Sequence, residues 1–379
     1  MISTDVLREL DGLKLNSNQD VAFKARRAAI LISKKLKGFI FDKELENENL
    51  SVDDKLLELT KSYAGELITN DVYLKIKAFA SGVRTSGYGA VEDYYGITYW
   101  EVDPNNELDA IELNKAFDEH LPPERFSLKE NEFLIAVHEG AAQAIFLHKK
   151  NILETINPKA IKNKFINKIT PKNPEQICLF NLLSNPDITI LYAGGKYGSG
   201  KSFILNNFAL QELEQGNIRK IVYVPNNSYV QNTMELGALP GELLSKVVGQ
   251  IGPMVDLIGL DWIEKLISRD ELEVVPMSSI RGRSFEDSII IINEAQNLTE
   301  DHIKLLIGRC GRGSRIFFDG DMRQADSAIF KNKNGLRLLL KLSNSDKFAD
   351  IFGTVRLEKV ERSKTAQAAD YLDEITGGV

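Results

Sequence analysis

Apolar residues fall along this chain in two spacings. Short continuous runs read as buried strands, and recurrences every three to four positions read as helices. The clearest run is Ile188 to Tyr192, which a glycine-rich turn and a helical stretch from Phe203 to Leu213 follow. Lys220 to Val224 and Leu272 to Met277 read as further strands. Ser288 to Ile292 carries four consecutive isoleucines, the pattern of a strand buried on both faces of a doubly wound parallel sheet. Phe317-Phe318 ends another strand on a polar turn, Asp319 to Gln324. Earlier, Val6 to Lys14 opens a helix, and Val21 to Leu36 has helical spacing with a basic face of Lys24, Arg26, Arg27, Lys34 and Lys35. Asp53 and Asp54 open a helix with acidic residues in its first turn. Glu66 to Asp71 reads as a short strand ending on a polar turn, and Val72 to Ala80 as a helix. Between the halves, Tyr99 to Val102, Ser127 to Lys129 and Phe133 to Val137 read as short strands, and Ala142 to His148 as a strand or a helix. Pro104 and Pro122-Pro123 mark turns. The expected organisation is a small domain over 1–95, a connector over 96–172 and a larger α/β domain over 173–379.

Composition narrows the classes. A chain of 379 residues, 43% hydrophobic and 27% charged, suits two or three globular domains. A net charge of -7 excludes a uniformly basic nucleic-acid binder and leaves room for a local basic groove. The connector holds the most basic stretch, Lys149, Lys150, Lys159, Lys162, Lys164, Lys168 and Lys172. That stretch reads either as a solvated face or as a track for a phosphate backbone. Cys178 and Cys310 are the only cysteines, too few for a disulfide scaffold or a cysteine zinc site. No apolar run reaches the roughly 18 residues of a membrane span, and no signal-type apolar core is visible, so a cytoplasmic protein without membrane contact is expected.

The turn after the first strand carries the chemistry. Gly195, Gly200, Lys201 and Ser202 fit the phosphate-loop pattern, with Lys196, Tyr197, Gly198 and Ser199 between them. Glycines let backbone N–H groups approach phosphate oxygens, and the following helix points its positive end at the same anion. Lys201 can reach the outer phosphates, and the Ser202 hydroxyl can ligate Mg²⁺. At the end of the isoleucine strand Glu294 is placed to orient or deprotonate water. Gln324 is placed to sense a terminal phosphate. Gln176 offers a paired donor and acceptor suited to an adenine edge.

The half from 173 to 362 resembles the PhoH-type ATPases, relatives of superfamily 1 helicases. The likeness rests on the phosphate loop, Leu236 to Gly241, Arg281-Gly282-Arg283, Glu294 to Asn297, Arg309, Gly320 to Gln324 and Val360 to Arg362. It implies ATP and Mg²⁺ as ligands. It also implies a ring-like homo-oligomer, with a hexamer as the candidate, in which either Arg362 or Arg309 reaches a neighbour's phosphate. Two departures stand out. The family has aspartate where this chain has Asn293, which keeps an oxygen for Mg²⁺ but loses the charge. Val224-Pro225-Asn226-Asn227 lacks the usual arginine. The expectation is that ATP binding survives and that turnover is slow unless Glu294 suffices. The first third resembles a PIN-type ribonuclease domain through Val6 to Asp11, Asp53 to Leu57, Ile68 to Asp71 and the tail Val91 to Tyr94. That resemblance implies a second Mg²⁺ or Mn²⁺ near Glu9, Asp53 and Asp71, with a first strand and its aspartate expected to be missing. The fold expected is α/β: a P-loop NTPase parallel sheet flanked by helices, a smaller PIN-like domain and a connector of short strands. The function expected is an ATP-hydrolysing, RNA-directed protein of the helicase and ribonuclease type. The alternative is a nucleotide-dependent regulatory module with little hydrolysis.

Overall fold

The computed structural model describes residues 2–14, 25, 28–29, 41–42, 51–63, 65–69, 71–86, 95–225, 251–324 and 334–361. The chain divides into two units, Met1–Glu92 and Asp93–Val379. In the first, β1 (Ile2–Ser3) leads into α1 (Thr4–Leu13) and pairs in parallel with β2 (Phe41–Asp42). Next come α2 (Val52–Ser62), β3 (Glu66–Ile68), α3 (Val72–Ala80) and β4 (Arg84–Ser86). β3 and β4 are also parallel, so α3 is their crossover. Ser51 caps α2 by accepting from Asp54 N, and Asp71 caps α3 by accepting from Leu74 N. The strand expected over 66–71 therefore stops at Ile68, because Asp71 serves the next helix. Leu57, Leu67, Leu74, Ala78 and Val83 form the small core. Most of the helix expected over 21–36 lies outside the described residues.

The second unit starts with β5 (Ile97–Glu101), α4 (Glu107–Phe117), β6 (Phe133–His138), β7 (Ala141–Lys149) and β8 (Ile152–Thr155). The four strands lie side by side in that order; β5 and β6 are parallel, and the remaining pairs are antiparallel. Period-two alternation splits β6 between two cores. Leu134 and Ala136 pack with Ala116 of α4, whereas Phe133, Ile135 and Val137 join the core of the larger sheet. Residues 142–148, open between helix and strand from sequence, lie in a strand. The strand expected over 127–129 is absent. Ser127, at φ 54, closes a short 3₁₀ turn over Pro123–Phe126, and that left-handed residue breaks an extended run.

Then follow α5 (Pro174–Ser184), β9 (Ile190–Gly195), α6 (Lys201–Glu214), β10 (Lys220–Val224), α7 (Gly252–Ile258) and α8 (Leu260–Ser268). The rest is β11 (Leu272–Val274), β12 (Ser288–Ile292), α9 (Glu300–Ile307), β13 (Arg315–Gly320), α10 (Gly335–Ser343) and β14 (Phe352–Leu357). The strands form one parallel sheet in the order β11-β10-β12-β13-β9-β14. The strand expected to reach Met277 ends at Val274, just before Pro276 and a 3₁₀ turn. Both faces are covered. Ile289 and Ile291 of β12 face a core shared with α5, α6, α7 and α8, and Ile290 and Ile292 face one shared with α9 and α10. Hence the isoleucine run lacks the polar alternation of a half-exposed strand. Among the described residues no helix is long and apolar enough to cross a membrane.

Arg315 fastens the amino end of this sheet. Its guanidinium donates to Ile188 O at 2.8 Å, Leu183 O at 2.9 Å, Asn185 O at 3.2 Å and Leu182 O at 3.3 Å. It also lies 5.3 Å from the Phe208 ring centre and 5.0 Å from that of Phe317. The last carbonyls of α5 thus gain a cation where the helix dipole favours one. Burial lowers the pKa of Arg315 to about 10. Arg315→Ala leaves those carbonyls without their donor and should cost about 2–3 kcal/mol, read as a lower midpoint of urea unfolding.

Candidate active site

Strand β9 ends on Gly194-Gly195, where the chain must turn against the backbone of β14. Gly195 has φ 117, and a Cβ there would stand 2.2 Å from Leu357 O and 2.7 Å from Leu357 N. The next residue is tied to the same strand, Lys196 N donating to Leu357 O at 3.1 Å. Gly200, at φ 94, is the left-handed residue from which α6 starts, and no side chain among the described residues caps that helix. The N–H groups of its first turn therefore remain for an anion. Lys201 is buried, its Nζ donating to Gly195 O at 2.8 Å and Lys196 O at 2.9 Å. Ser202 Oγ donates to Asp319 Oδ2, and Lys201 Nζ lies 3.9 Å from Asp319 Oδ1.

The facing wall comes from the carboxyl ends of β12 and β13. Glu294 takes a left-handed conformation, φ 54 and ψ 45, and its Oε2 accepts from Gln296 Nε2. A glutamate held there bears local strain, and such strain persists where the surroundings fix the conformation. Asp319 is buried, which raises its carboxyl pKa; Lys201 and the Ser202 hydrogen bond act in the opposite sense. Gln324 N donates to Asp321 O at 2.9 Å in the turn after β13. Tyr223, on β10, has a buried hydroxyl without a hydrogen-bond partner among the described residues. Burial foremost, and the nearby charges of Asp319 and Glu294, raise its pKa.

Gln176, Tyr197, Gly198, Gly200, Lys201, Ser202, Glu294 and Gln324 line one cavity of about 500 Å³. Gly195, Lys196 and Ser199 complete the loop through backbone contacts. Gln176 is a buttress as well as a lining residue. Its Nε2 donates to Ser199 O at 3.0 Å, and its Oε1 accepts from Lys172 N at 2.9 Å. Asn293 does not line the cavity; its backbone N–H donates to Val224 O at 3.4 Å. Arg309 lies elsewhere, Nη1 donating to Arg283 O at 3.2 Å. Arg362, Asn226, Asn227, Leu236 to Gly241 and Val91 to Tyr94 lie outside the described residues. Asp319 is not among the candidates that the sequence singles out. The signal was present: a carboxylate at the end of a buried apolar strand, where such sheets open their ligand crevice.

A larger cavity, about 1300 Å³, is lined by Lys159, Lys162 and Lys168 and by Thr189, Ile190, Ser314 and Arg315. These last residues sit at the amino ends of β9 and β13, so this cavity is at the opposite end of the sheet from the phosphate loop. Of the described candidate catalytic groups, Glu294, Gln324 and Arg309 are not among its lining residues.

In the first unit Glu9 is exposed on α1, Asp53 lies 3.9 Å from Lys77, and the Asp71 carboxylate caps α3. Among the described residues no group of three Asp, Glu, His or Cys is arranged to hold a metal ion. Glu9, Asp53 and Asp71 are therefore not brought together as a three-acid site in the described part of the unit.

A phosphate loop on β9, facing the carboxyl ends of neighbouring strands in a parallel sheet covered on both faces, defines a P-loop NTPase fold. Residues 168–372 match the family described as PhoH-like protein, and residues 1–89 match the PIN domain. The chain belongs to the PhoH-like family and carries a PIN domain before the P-loop domain. It is similar to Protein PhoH2 of Bacillus subtilis, 29% identical over 86% of this chain and 76% of that protein. Protein PhoH2 of Mycolicibacterium smegmatis is 27% identical over 87% of this chain and 76% of that protein. Among solved structures, the Pif1 helicase from Candida albicans aligns with 55% of this chain and 44% of that chain at 16% identity. Its TM-score is 0.28, a value from which no residue correspondence follows.

Proposed function

We propose that this chain binds ATP with Mg²⁺ in the cavity between α6 and the ends of β12 and β13, hydrolyses it, and couples the cycle to RNA. The observation that carries the reading is the convergence of Lys201 and Ser202 with Glu294 and Gln324 around an uncapped helix start. The donor set fits the ligand. Backbone N–H groups of α6 receive phosphate oxygens, and Lys201 exchanges its two loop carbonyls for the outer phosphates. Ser202 offers Mg²⁺ a hydroxyl oxygen, and the cation when bound neutralises charge on the phosphates. Glu294 orients and deprotonates the attacking water, and Gln324 senses the terminal phosphate. In a ring-like homo-oligomer Arg362 or Arg309 would face the next subunit's nucleotide. The proposed domain division is 1–95, 96–172 and 173–379, in a cytoplasmic protein.

The RNA part is supported by the PIN domain and by the lysines. Lys159, Lys162 and Lys168 line the large cavity, and Lys172 of the same segment lines the nucleotide cavity. A strand of RNA bound there would meet the segment that also touches Gln176. Single-stranded RNA should raise ATP turnover; turnover that ignores RNA argues against a helicase role. Joint replacement of Lys159, Lys162 and Lys168 by alanine should weaken RNA binding. It should also reduce the slope of log affinity against log salt by about 2, measured by fluorescence anisotropy. Asn293, neutral beside Glu294, favours a second reading, a nucleotide-dependent switch that turns over little.

A further inference from the structure

Resting on the ATP and Mg²⁺ reading, we infer that Asp319 supplies the carboxylate that faces Mg²⁺ beside Ser202, in place of position 293. The two positions are neighbours in the sheet. Strands β12 and β13 pair as far as Ile292↔Phe318, the residues just before Asn293 and Asp319. They differ in what they reach. Asp319 lies on the strand next to the phosphate-loop strand, paired with Ala193 of β9, and Gly320 is paired with Gly194. Its carboxylate thereby meets Ser202 Oγ, the loop hydroxyl suited to Mg²⁺. Asn293 is neutral, does not line the cavity, and lies on the far side of β13 from the loop.

The surroundings of Asp319 support a cation there. The carboxylate is buried at 4% exposure, where an uncompensated charge is costly. Among the described residues its carboxylate meets the Ser202 hydroxyl and an ammonium at 3.9 Å. That ammonium already serves two loop carbonyls and is the group drawn toward the phosphates once nucleotide enters. Nucleotide binding thus removes the positive charge nearest Asp319, and a divalent cation restores it. Mg²⁺ takes one or two carboxylates together with phosphate oxygens and waters, so Asp319 and Ser202 suffice without a cluster of three acids.

The test uses the full chain and Mn²⁺ as a spectroscopic substitute for Mg²⁺. Fluorescent ATP is first titrated in EDTA and then with metal, and Mn²⁺ bound in the ternary complex is counted by electron paramagnetic resonance. In Asp319→Asn the affinity for Mn²⁺ at saturating ATP should fall about 10–100-fold, with metal-free ATP binding retained. Asp319→Glu, which keeps the charge, should recover part of the loss. It guards against a simple packing defect. Asn293→Ala should lose less than Asp319→Asn; the reverse order overturns the inference. So does an Asp319→Asn protein whose Mn²⁺ affinity matches wild type, while the ATP-site reading stands because nucleotide still binds. A wild-type chain that binds no ATP with or without metal removes both.

Discussion

Glu294→Gln should lower ATP turnover by about 10²–10⁴-fold, the usual contribution of a positioned general base. Glutamine keeps the size and reach of the side chain and removes its charge and its ability to take a proton. ATP affinity should therefore stay within about threefold, since uniform binding of substrate is untouched. The geometry argues for so specific a loss. Glu294 is held in a left-handed conformation and hydrogen-bonded by Gln296, so it does not choose its direction freely. Steady-state turnover and nucleotide titration on the same preparation separate the two effects. Turnover indistinguishable from wild type would favour the switch that binds ATP and hydrolyses little.

Gly195→Ala should reduce nucleotide affinity by at least about 100-fold, the penalty that follows when binding groups are displaced by an ångström. The alanine methyl would overlap the backbone of Leu357, and φ 117 adds conformational strain. Relief requires β14 to move or the loop to change path, and either displaces Lys196 N from Leu357 O and the loop carbonyls from Lys201. Gly216→Ala is the useful contrast. Gly216 is also left-handed, at φ 72, but nothing lies within 4 Å of the added Cβ. That change should cost about 1 kcal/mol of stability and leave nucleotide binding alone.

What could be read in the sequence was whatever is local. The phosphate loop occupies eight consecutive residues, Gly195 to Ser202, and declares itself by residue type. The isoleucines of β12 announce burial on both faces because four neighbours in a row leave no polar side. Helix starts such as Ser51 and Asp71 follow from side chains acting on their own backbone. Asp319 is of another kind. Nothing in Phe317-Phe318-Asp319-Gly320 says that the carboxylate meets Ser202, 117 residues earlier. Sheet order decides that, and β13 lies between β9 and β12. Gln176 shows the same limit. Its residue type suggested a ligand contact, whereas in the fold both ends of its amide also hold the loop and the segment before α5. At Ser127 an apparent strand gave way to a left-handed turn that three residues of sequence did not disclose.

The sheet order also sets a schedule for making the protein. Strand β9 lies between β13 and β14 in the sheet, and both come after it in the chain. The 117 residues between Ser202 and Asp319 take roughly 6 to 23 s to synthesise at cellular rates of about 5–20 residues per second. Throughout that interval the phosphate-loop strand has emerged without either neighbour, its apolar faces and backbone donors waiting. A pause in translation between these segments would lengthen the exposure, and the tie from Lys196 N to Leu357 O forms only after β14 has been made.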